Sequence, residues 1–481
     1  MRTTADAWAQ ARAGRRVAPA GVARTEHLRE HNLSVALGFI LDAGEPPSRA
    51  EVAAGTGLAR PSVTPIVDQL IRARMVRELI PRPARRAGRP AVPLAPAQGT
   101  FAGIGMEVNV DYLGLRAIDL AGRVLVERVE ADDLRSQDPE VVLGRIAEIA
   151  AHAVRRLRAD GVRVVGTSLA LPGLVDSGDG PLRLAPNLDW RNVDVVGLLA
   201  AHGGLDGLLP ALANEAKLGA RAEARARRAG GPPNFVYVSG EIGIGGALVL
   251  DGEIFGGRHG WSGEIGHVVV DPSVPGGPAR GTLEARAGQE AMLRGAGLPA
   301  SATVHDLVAA VAADDPRARF AVASAARALG VALAGVLNTV DVDEVVLSGT
   351  FGQLFGHVHE TVERALDEMV ITAPWSAPRV TSARAGQFPA MTGGALAALR
   401  RLVVAPSAWF VPGGDVAGGA ERQGGDKRPE DIGPGAHPGD GAAVAGRVGD
   451  RDGAPLRDVD VRADGADLLR TPSTATTRPR R

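Results

Sequence analysis

The run from Phe235 to Glu284 constrains the fold more than any other stretch of the chain. It opens with Phe235-Val236-Tyr237-Val238, an aromatic and β-branched segment that reads as a buried strand. Gly240, Gly243, Gly245 and Gly246 follow, ahead of a second apolar run from Ala247 to Leu250. Glycines this dense between two strands let backbone N–H groups approach a ligand that a Cβ would hold off. Asp251-Gly252 then signals a tight hairpin. Glu264 and His267 stand three residues apart, and a further carboxylate follows at Glu284. A few convergent polar groups on an apolar scaffold are what a small-ligand site needs. The same pattern also fits a glycine-rich hairpin in an ordinary sheet with surface Glu and His.

A chain of 481 residues holds roughly two to four domains. Apolar residues make up 45% of it and aromatics only 3%, so a large core must be built from Ala, Val, Leu and Ile. Cysteine is absent, which excludes disulfides, thiolate zinc sites and a cysteine nucleophile. No uninterrupted apolar run reaches the length of about eighteen residues that reads as a membrane helix. The N-terminus lacks the apolar segment of a secretory signal, and the expectation is a cytoplasmic protein without a membrane partner.

Charge is unevenly spread. The first hundred residues hold fifteen Arg, no Lys and eight acidic groups, an excess of seven positive charges in a chain whose net charge is −1. A basic head on an acidic body points to a polyanion partner for the head. Residues 1–23 read as disordered. From Glu26 to Ala43, Leu28, Leu33, Leu37, Ile40 and Leu41 recur at helical spacing. Ser48 with Glu51 forms a capping box for a short second helix, and Gly55-Thr56-Gly57 turns into a third that runs to Arg74. Helix, short helix, turn and helix is the helix-turn-helix order, with the third helix in the major groove. Met75–Ile80 reads as a strand, Pro81–Gly88 as an arginine-rich loop, and Val92 and Leu94 as the returning strand, which makes a winged helix over 24–95. Double-stranded DNA is the expected partner. Arg60, Ser62, Thr64 and Gln69 are placed to reach base edges or phosphates, and Arg82, Arg85, Arg86 and Arg89 to grip phosphate or the minor groove. Pro65 falls inside the third helix, so that helix is expected to start late, with Thr64 as its cap.

A second domain is expected over 100–403. Phe101–Met106, Tyr112–Asp119 and Arg123–Val129 read as consecutive strands, and Pro139–Asp160 as a long amphipathic helix. Val162–Ala170 is the next strand, and Pro210–Ala213 runs into Asn214-Glu215 at the start of an Ala/Arg-rich helix. Strands followed by helices, with polar residues at the strand ends, describe an α/β domain with its site at the carboxyl edge of the sheet. Residues 404–481 are rich in Gly, Asp, Arg and Pro without periodicity and read as a disordered tail.

Over roughly residues 26 to 403 the chain resembles the ROK family (repressor, open reading frame, kinase) of the actin-like sugar-kinase superfamily. The resemblance rests on Leu171-Pro172-Gly173, Pro186-Asn187-Leu188, Ala213-Asn214-Glu215-Ala216, the glycine turn at 240–246, Glu264-Ile265-Gly266-His267, Leu283-Glu284 and Val345–Gly349, spaced and in order. It implies a two-lobed sugar-kinase-like body. A winged helix ahead of such a body looks like the sugar-responsive repressor branch, whose setting is xylose or other sugar metabolism. Gly88-Arg89-Pro90 is similar to the junction those regulators carry between head and body.

Carried over by position, the resemblance sets Asn187, Asn214, Glu215, Glu264, His267 and Glu284 against the hydroxyls of a carbohydrate effector, in a homodimer. Amides and carboxylates suit vicinal hydroxyls. The family's kinases hold ATP phosphates with an Asp-x-Gly-Gly-Thr turn, and Glu107-Val108-Asn109-Val110-Asp111 stands in its place. Close backbone approach to phosphate is lost there. Their general base is an Asp after Asn, whereas this chain has Glu215, whose longer arm shifts the carboxylate. The family's three-cysteine zinc cluster is missing, so no metal and no cofactor are expected. The resulting expectation is a DNA-binding regulator that binds sugar without phosphorylating it. The alternative is an ATP-dependent sugar kinase with a DNA-binding head and Glu215 as base.

Overall fold

The computed structural model describes residues 25–410 apart from 82–90, 177–179, 206, 229, 276 and 300. The head begins with α1 (Thr25–Asp42), α2 (Arg49–Thr56) and α3 (Arg60–Arg72). Ser48 caps α2 as expected: its hydroxyl accepts from Glu51 N–H while the Glu51 carboxylate accepts from Ser48 N–H at 2.7 Å. Gly57 closes that helix at φ 73°, a left-handed conformation that glycine adopts without strain. α3 does not start late. It begins at Arg60 with Ala59 as N-cap and runs through Pro65. Pro65 forfeits a single backbone bond in the second turn, and burial of Val63, Ile66, Val67 and Leu70 along one face outweighs it. Leu28 is exposed, so the buried face of α1 starts at Leu33.

β1 (Val76–Glu78) pairs antiparallel with β2 (Leu94–Pro96), Val76 opposite Pro96, and these strands flank the wing. The returning strand therefore starts at Leu94, leaving Val92 outside it. Gly88-Arg89-Pro90, expected at the junction of head and body, lies outside the described residues. Between β2 and the body, Ala97 N–H donates to the Met75 carbonyl and the Thr100 hydroxyl to the Arg74 carbonyl, both at 2.9 Å.

The body has two lobes of matching topology. In the first, β3 (Phe101–Val108), β4 (Tyr112–Asp119) and β5 (Val124–Ala131) form an antiparallel meander, and α4 (Pro139–Ala159) leads to β6 (Arg163–Leu171). A small sheet of β7 (Leu174–Val175), β8 (Leu182–Ala185) and β9 (Trp190–Val193) precedes α5 (Val195–Ala201) and β10 (Ala211–Asn214). The main sheet runs β5-β4-β3-β6-β10, with β6 and β10 parallel to β3. Helix α6 (Glu215–Arg227) crosses to the second lobe, whose sheet contains β11 (Phe235–Gly240), β12 (Ile244–Leu250) and β13 (Glu253–Ile254). Asp251 and Gly252 both take positive φ in the turn before β13, as the expected hairpin requires. α7 (Leu283–Ala287), α8 (Gln289–Gly295), α9 (Val304–Ala312) and α10 (Pro316–Val340) precede β14 (Glu344–Ser348). α11 (Gly349–Gln353), α12 (Phe355–Met369), β15 (Arg379–Ser382) and α13 (Pro389–Val404) complete the body. This second sheet runs β13-β12-β11-β14-β15, the same succession of antiparallel and then parallel neighbours as the first.

α10 is the one described helix long and apolar enough to cross a bilayer, yet it lies in the second-lobe core with Leu329, Leu333 and Leu337 buried. α13 returns to the first lobe and lies so close to β3 that a Cβ on Gly105 would sit 1.8 Å from the Met391 carbonyl oxygen, which only glycine avoids. The head is not a separate bead. Leu33, Leu37, Ile40, Val67 and Leu70 share one apolar core with Phe101, Ile118, Leu399 and Leu402 of the body. The chain also stays folded past the expected boundary at 404. Pro406–Trp409 forms a 3₁₀ turn whose Trp409 meets Phe101 edge-on at 6.2 Å, because an aromatic ring seats on the apolar surface where head and body meet. The rest of the expected tail, the expected disordered N-terminus at residues 1–23, and residue 24 lie outside the described residues.

Candidate functional site

Two surfaces collect the polar groups singled out from the sequence. The first is the cleft between the lobes. Asn187, on the 3₁₀ turn Pro186–Leu188, lines a cavity of about 660 Å³ together with His267 and Glu284. Gly243 shows how tightly two of these converge. A Cβ there would lie 2.6 Å from Glu284 Oε2 and 3.1 Å from Asn187 Nδ2. Glu284 also accepts the Ile244 N–H at 2.8 Å, so the first turn of α7 holds the glycine turn in place. The glycine at 243 thus brings the backbone up to side chains of the protein itself, whereas the expected approach was to a ligand.

Asn214 is largely committed to structure. Its Oδ1 caps α6 by accepting from Ala216 and Lys217 N–H, and its Nδ2 donates to the Gly173 carbonyl at 3.0 Å, leaving one amide hydrogen for a ligand. Glu264 is half-buried, His267 exposed. Burial raises the Glu264 pKa above the usual carboxylate range, while the charges of Lys217 and His267 pull it back. Lys217, buried on α6, donates to the Gly260 carbonyl, and burial lowers its own pKa.

Glu215 belongs to a different constellation. Its carboxylate gathers with those of Glu107, at the end of β3, and Glu241, in the β11–β12 turn, and one oxygen from each lies within 4.8 Å of the others. Asn109 bridges the lobes by donating its amide to Glu241. Glu107 Oε2 and Glu215 Oε2 are buried without a hydrogen-bond partner. Burial first, and the charge of Glu241 second, push Glu107 up to about 8. The same two causes raise Glu215, and burial raises Glu241. Three converging carboxylates have the oxygen donor set of a hard divalent cation. Without such an ion they must hold protons, since like charges this close cannot all ionise. Only ionised carboxylates without a cation would repel phosphate there.

Lys217 and Glu241 escape the sequence reading as cleft residues, and Glu107 enters it only as the first residue of the run standing in place of the phosphate turn. Glu241 carried a usable signal, being a lone carboxylate inside Gly240-Glu241-Ile242-Gly243. Lys217 carries none, because a charged residue in an Ala/Arg-rich helix looks solvated.

The second surface is the head. Arg60, Ser62 and Thr64 are exposed on the N-terminal half of α3. Gln69 is engaged within the head: its Oε1 accepts from Arg29 Nε at 3.1 Å and its Nε2 donates to the Pro65 carbonyl at 3.0 Å. Arg82, Arg85, Arg86 and Arg89 lie outside the described residues. Arg72 and Arg77, which the sequence reading passed over, are exposed on α3 and β1.

Comparison with known proteins follows the same division. The "Xylose repressor" of Bacillus subtilis (strain 168) is 26% identical over 305 residues, covering 63% of this chain and 78% of that protein. The "Kanosamine kinase" of Amycolatopsis mediterranei (strain S699) is 32% identical over 268 residues, covering 53% and 86%. Among solved structures, a ROK family transcriptional regulator described as a homolog of the E. coli MLC protein superposes with a TM-score of 0.65 at 26% identity, over 80% of this chain and 98% of that one. That coverage exceeds what the body alone could supply, so the likeness includes the head. Residues 104–401 match the ROK family, and the chain belongs to that family.

Proposed function

We propose that the protein is a sugar-responsive, DNA-binding transcriptional repressor whose body binds a carbohydrate without phosphorylating it. The observation that carries this reading is the likeness to a ROK transcriptional regulator across head and body together. On this reading Arg60, Ser62 and Thr64 enter the major groove, and Arg82, Arg85, Arg86 and Arg89 of the wing grip the backbone or minor groove. Asn187, Glu264, His267 and Glu284 take the sugar hydroxyls, with the free amide hydrogen of Asn214. Closure of the lobes on the sugar then shifts the heads of a cytoplasmic homodimer relative to a pseudo-palindromic operator, by the sugar's differential affinity for the two states.

Absence of phosphoryl transfer is supported by the three-carboxylate floor. Glu107, Glu215 and Glu241 repel a nucleotide's phosphates unless a cation intervenes. A kinase reading keeps one point in its favour, since Glu215 at the cleft floor is a carboxylate where a base would stand, and the kanosamine kinase is among the relatives.

The test uses the full chain, with an operator selected from a random DNA library. Binding is measured by mobility shift with each sugar of a panel, beside ATP-dependent phosphorylation of the same sugars with and without magnesium. The expected result is operator binding altered by one sugar with no turnover. Arg60→Ala should weaken operator binding about five- to tenfold and lower the salt slope by ~1. Turnover of any sugar would replace this reading with the kinase.

A further inference from the structure

The junction of head and body encloses a cavity that neither the cleft nor the DNA face uses. Its volume is about 340 Å³, with α1 of the head on one side and α6 and α13 of the body on the other. Four guanidinium groups face it: Arg221, Arg225 and Arg228 along α6 and its cap, and Arg400 on α13. The three on α6 fall at i, i+4 and i+7, one stripe of a helix, where like charges repel unless something answers them.

The carboxylates nearby do not answer all four. Asp42 pairs with Arg228, and Glu253 pairs with Arg400 at 2.5 Å. Asp119 is taken up by its own turn, accepting from the Gly99, Ala121 and Arg123 N–H groups at 2.9–3.0 Å. Arg225 has only a carbonyl, that of Leu41 at 2.7 Å. Arg221 has nothing among the described residues. Its Nε is buried without an acceptor, and no carboxylate forms an ion pair with it. Burial, reinforced by the charge of Arg400 and only partly offset by that of Glu253, lowers its pKa. Arg221 is half-buried, and its Nε, buried without an acceptor, carries a desolvation cost that an oxyanion would remove.

We propose that this cavity is a binding site for a small oxyanion, a phosphate ester or a carboxylate, with Arg221 as its central ligand and Arg225 and Arg400 at its sides. Guanidinium forks match both oxyanions in geometry and charge, and the volume suits a small molecule. One wall, Ser34, Gly38, Leu41 and Asp42, is part of the head. An anion seated there joins α1 to α6 and α13, and so fixes how the head sits on the body. That coupling to DNA rests on the function proposed above, whereas binding of the anion does not.

Isothermal titration calorimetry of the full chain, at constant ionic strength, tests the site with inorganic phosphate, glycerol 3-phosphate and citrate. The expected result is saturable binding of at least one probe, weakened at least about tenfold by Arg221→Gln. Saturation by the phosphates alone assigns a phosphate ester, and by citrate alone a carboxylate. Arg400→Gln, at a half-exposed side chain, provides a second variant that leaves the core untouched. Arg319→Gln, at an exposed surface pair elsewhere, should bind as the parent does. No saturable heat from any probe, or binding undiminished in both Arg221→Gln and Arg400→Gln, overturns the site. Operator affinity at saturating anion then decides the coupling. A change supports it, no change overturns the coupling alone, and a chain that binds no DNA overturns the earlier reading and not this one.

Discussion

Helix α6 buries acidic groups at both ends, and the two ends treat them oppositely. At its C-terminal end Arg227 is 2% exposed and satisfied on every side. Its Nε meets Glu223 and its Nη1 meets Glu344, each at 2.5 Å, while Nη2 donates to the Thr381 hydroxyl at 2.6 Å. The second Glu223 oxygen accepts from Arg384 and Ala385 N–H at 2.7 and 2.9 Å. At the N-terminal end, Glu215 faces Glu107 and Glu241 with two oxygens bonded to nothing. One cluster is a clip that ties α6 to β14 and β15. The other is repulsion kept at the floor of a cleft, relieved only by protons, a cation or a ligand. Buried charge by itself thus says little about role; whether its partners are already present says much more.

Breaking the clip should have the largest effect. Arg227→Met leaves Glu223 and Glu344 buried without their cation, and the expected loss is about 3–5 kcal/mol, read from urea unfolding. A loss below about 1 kcal/mol would show the clip to be no firmer than a surface pair, and the contrast between the two ends would fail.

The other end should respond to pH in the opposite sense to an ordinary ion pair. Glu107 is raised from 4.5 to about 8 in the folded chain, and Glu215 and Glu241 shift in the same direction. Between those values the folded state holds more protons than the unfolded one. Stability from this cluster is therefore complete below about 4.5 and declines as pH rises toward 8. Glu241→Gln removes one of the three charges. It should stabilise the protein by ~1–2 kcal/mol at pH 8 and by little at pH 4.5. Equal effects at both pH values would mean that the cluster does not titrate in this window. Magnesium or calcium that abolishes the parent's pH slope, but not the variant's, would identify a cation as the relieving partner.

The contrast also explains what could be read in advance. Helices and strands were legible wherever apolar residues repeat at their period, as in α4 and α10, and wherever a local device closes an end, as Ser48 and Glu51 do on α2. Those signals act within a few residues. The cleft floor joins Glu107 to Glu241 through a lobe crossing, and nothing near either residue announces the other. Resemblance located Asn187 and Glu284, because it transfers positions rather than contacts. It did not reveal that Asn214 is occupied as a cap. Pro65 misled for a related reason: the penalty of a proline is local, while the burial that overrides it comes from packing against α1 and α2. Trp409 was assigned to a tail because its partner Phe101 lies some three hundred residues earlier in the chain.

Lys217 and Glu264 form an intermediate case, and they give the smallest predicted effect. Lys217 lies on α6 between the two clusters, its ammonium held by the Gly260 carbonyl and its charge felt by Glu264 without a salt bridge between them. Lys217→Met keeps the length and the apolar stem while removing the charge, so packing should survive. Glu264 would then lose one of the two charges that offset its burial, and its pKa should climb further. Relative to the parent, the variant should be about 1 kcal/mol less stable at pH 8 than at pH 5, because the lost attraction counts only while Glu264 is ionised. This slope has the same sign as that of the carboxylate floor, but it originates in a lost cation and should be insensitive to Glu241→Gln. Additive effects in the double variant would make Lys217 a local partner of Glu264, whereas coupling above about 0.5 kcal/mol would join it to the floor and make the N-terminal half of α6 one electrostatic unit.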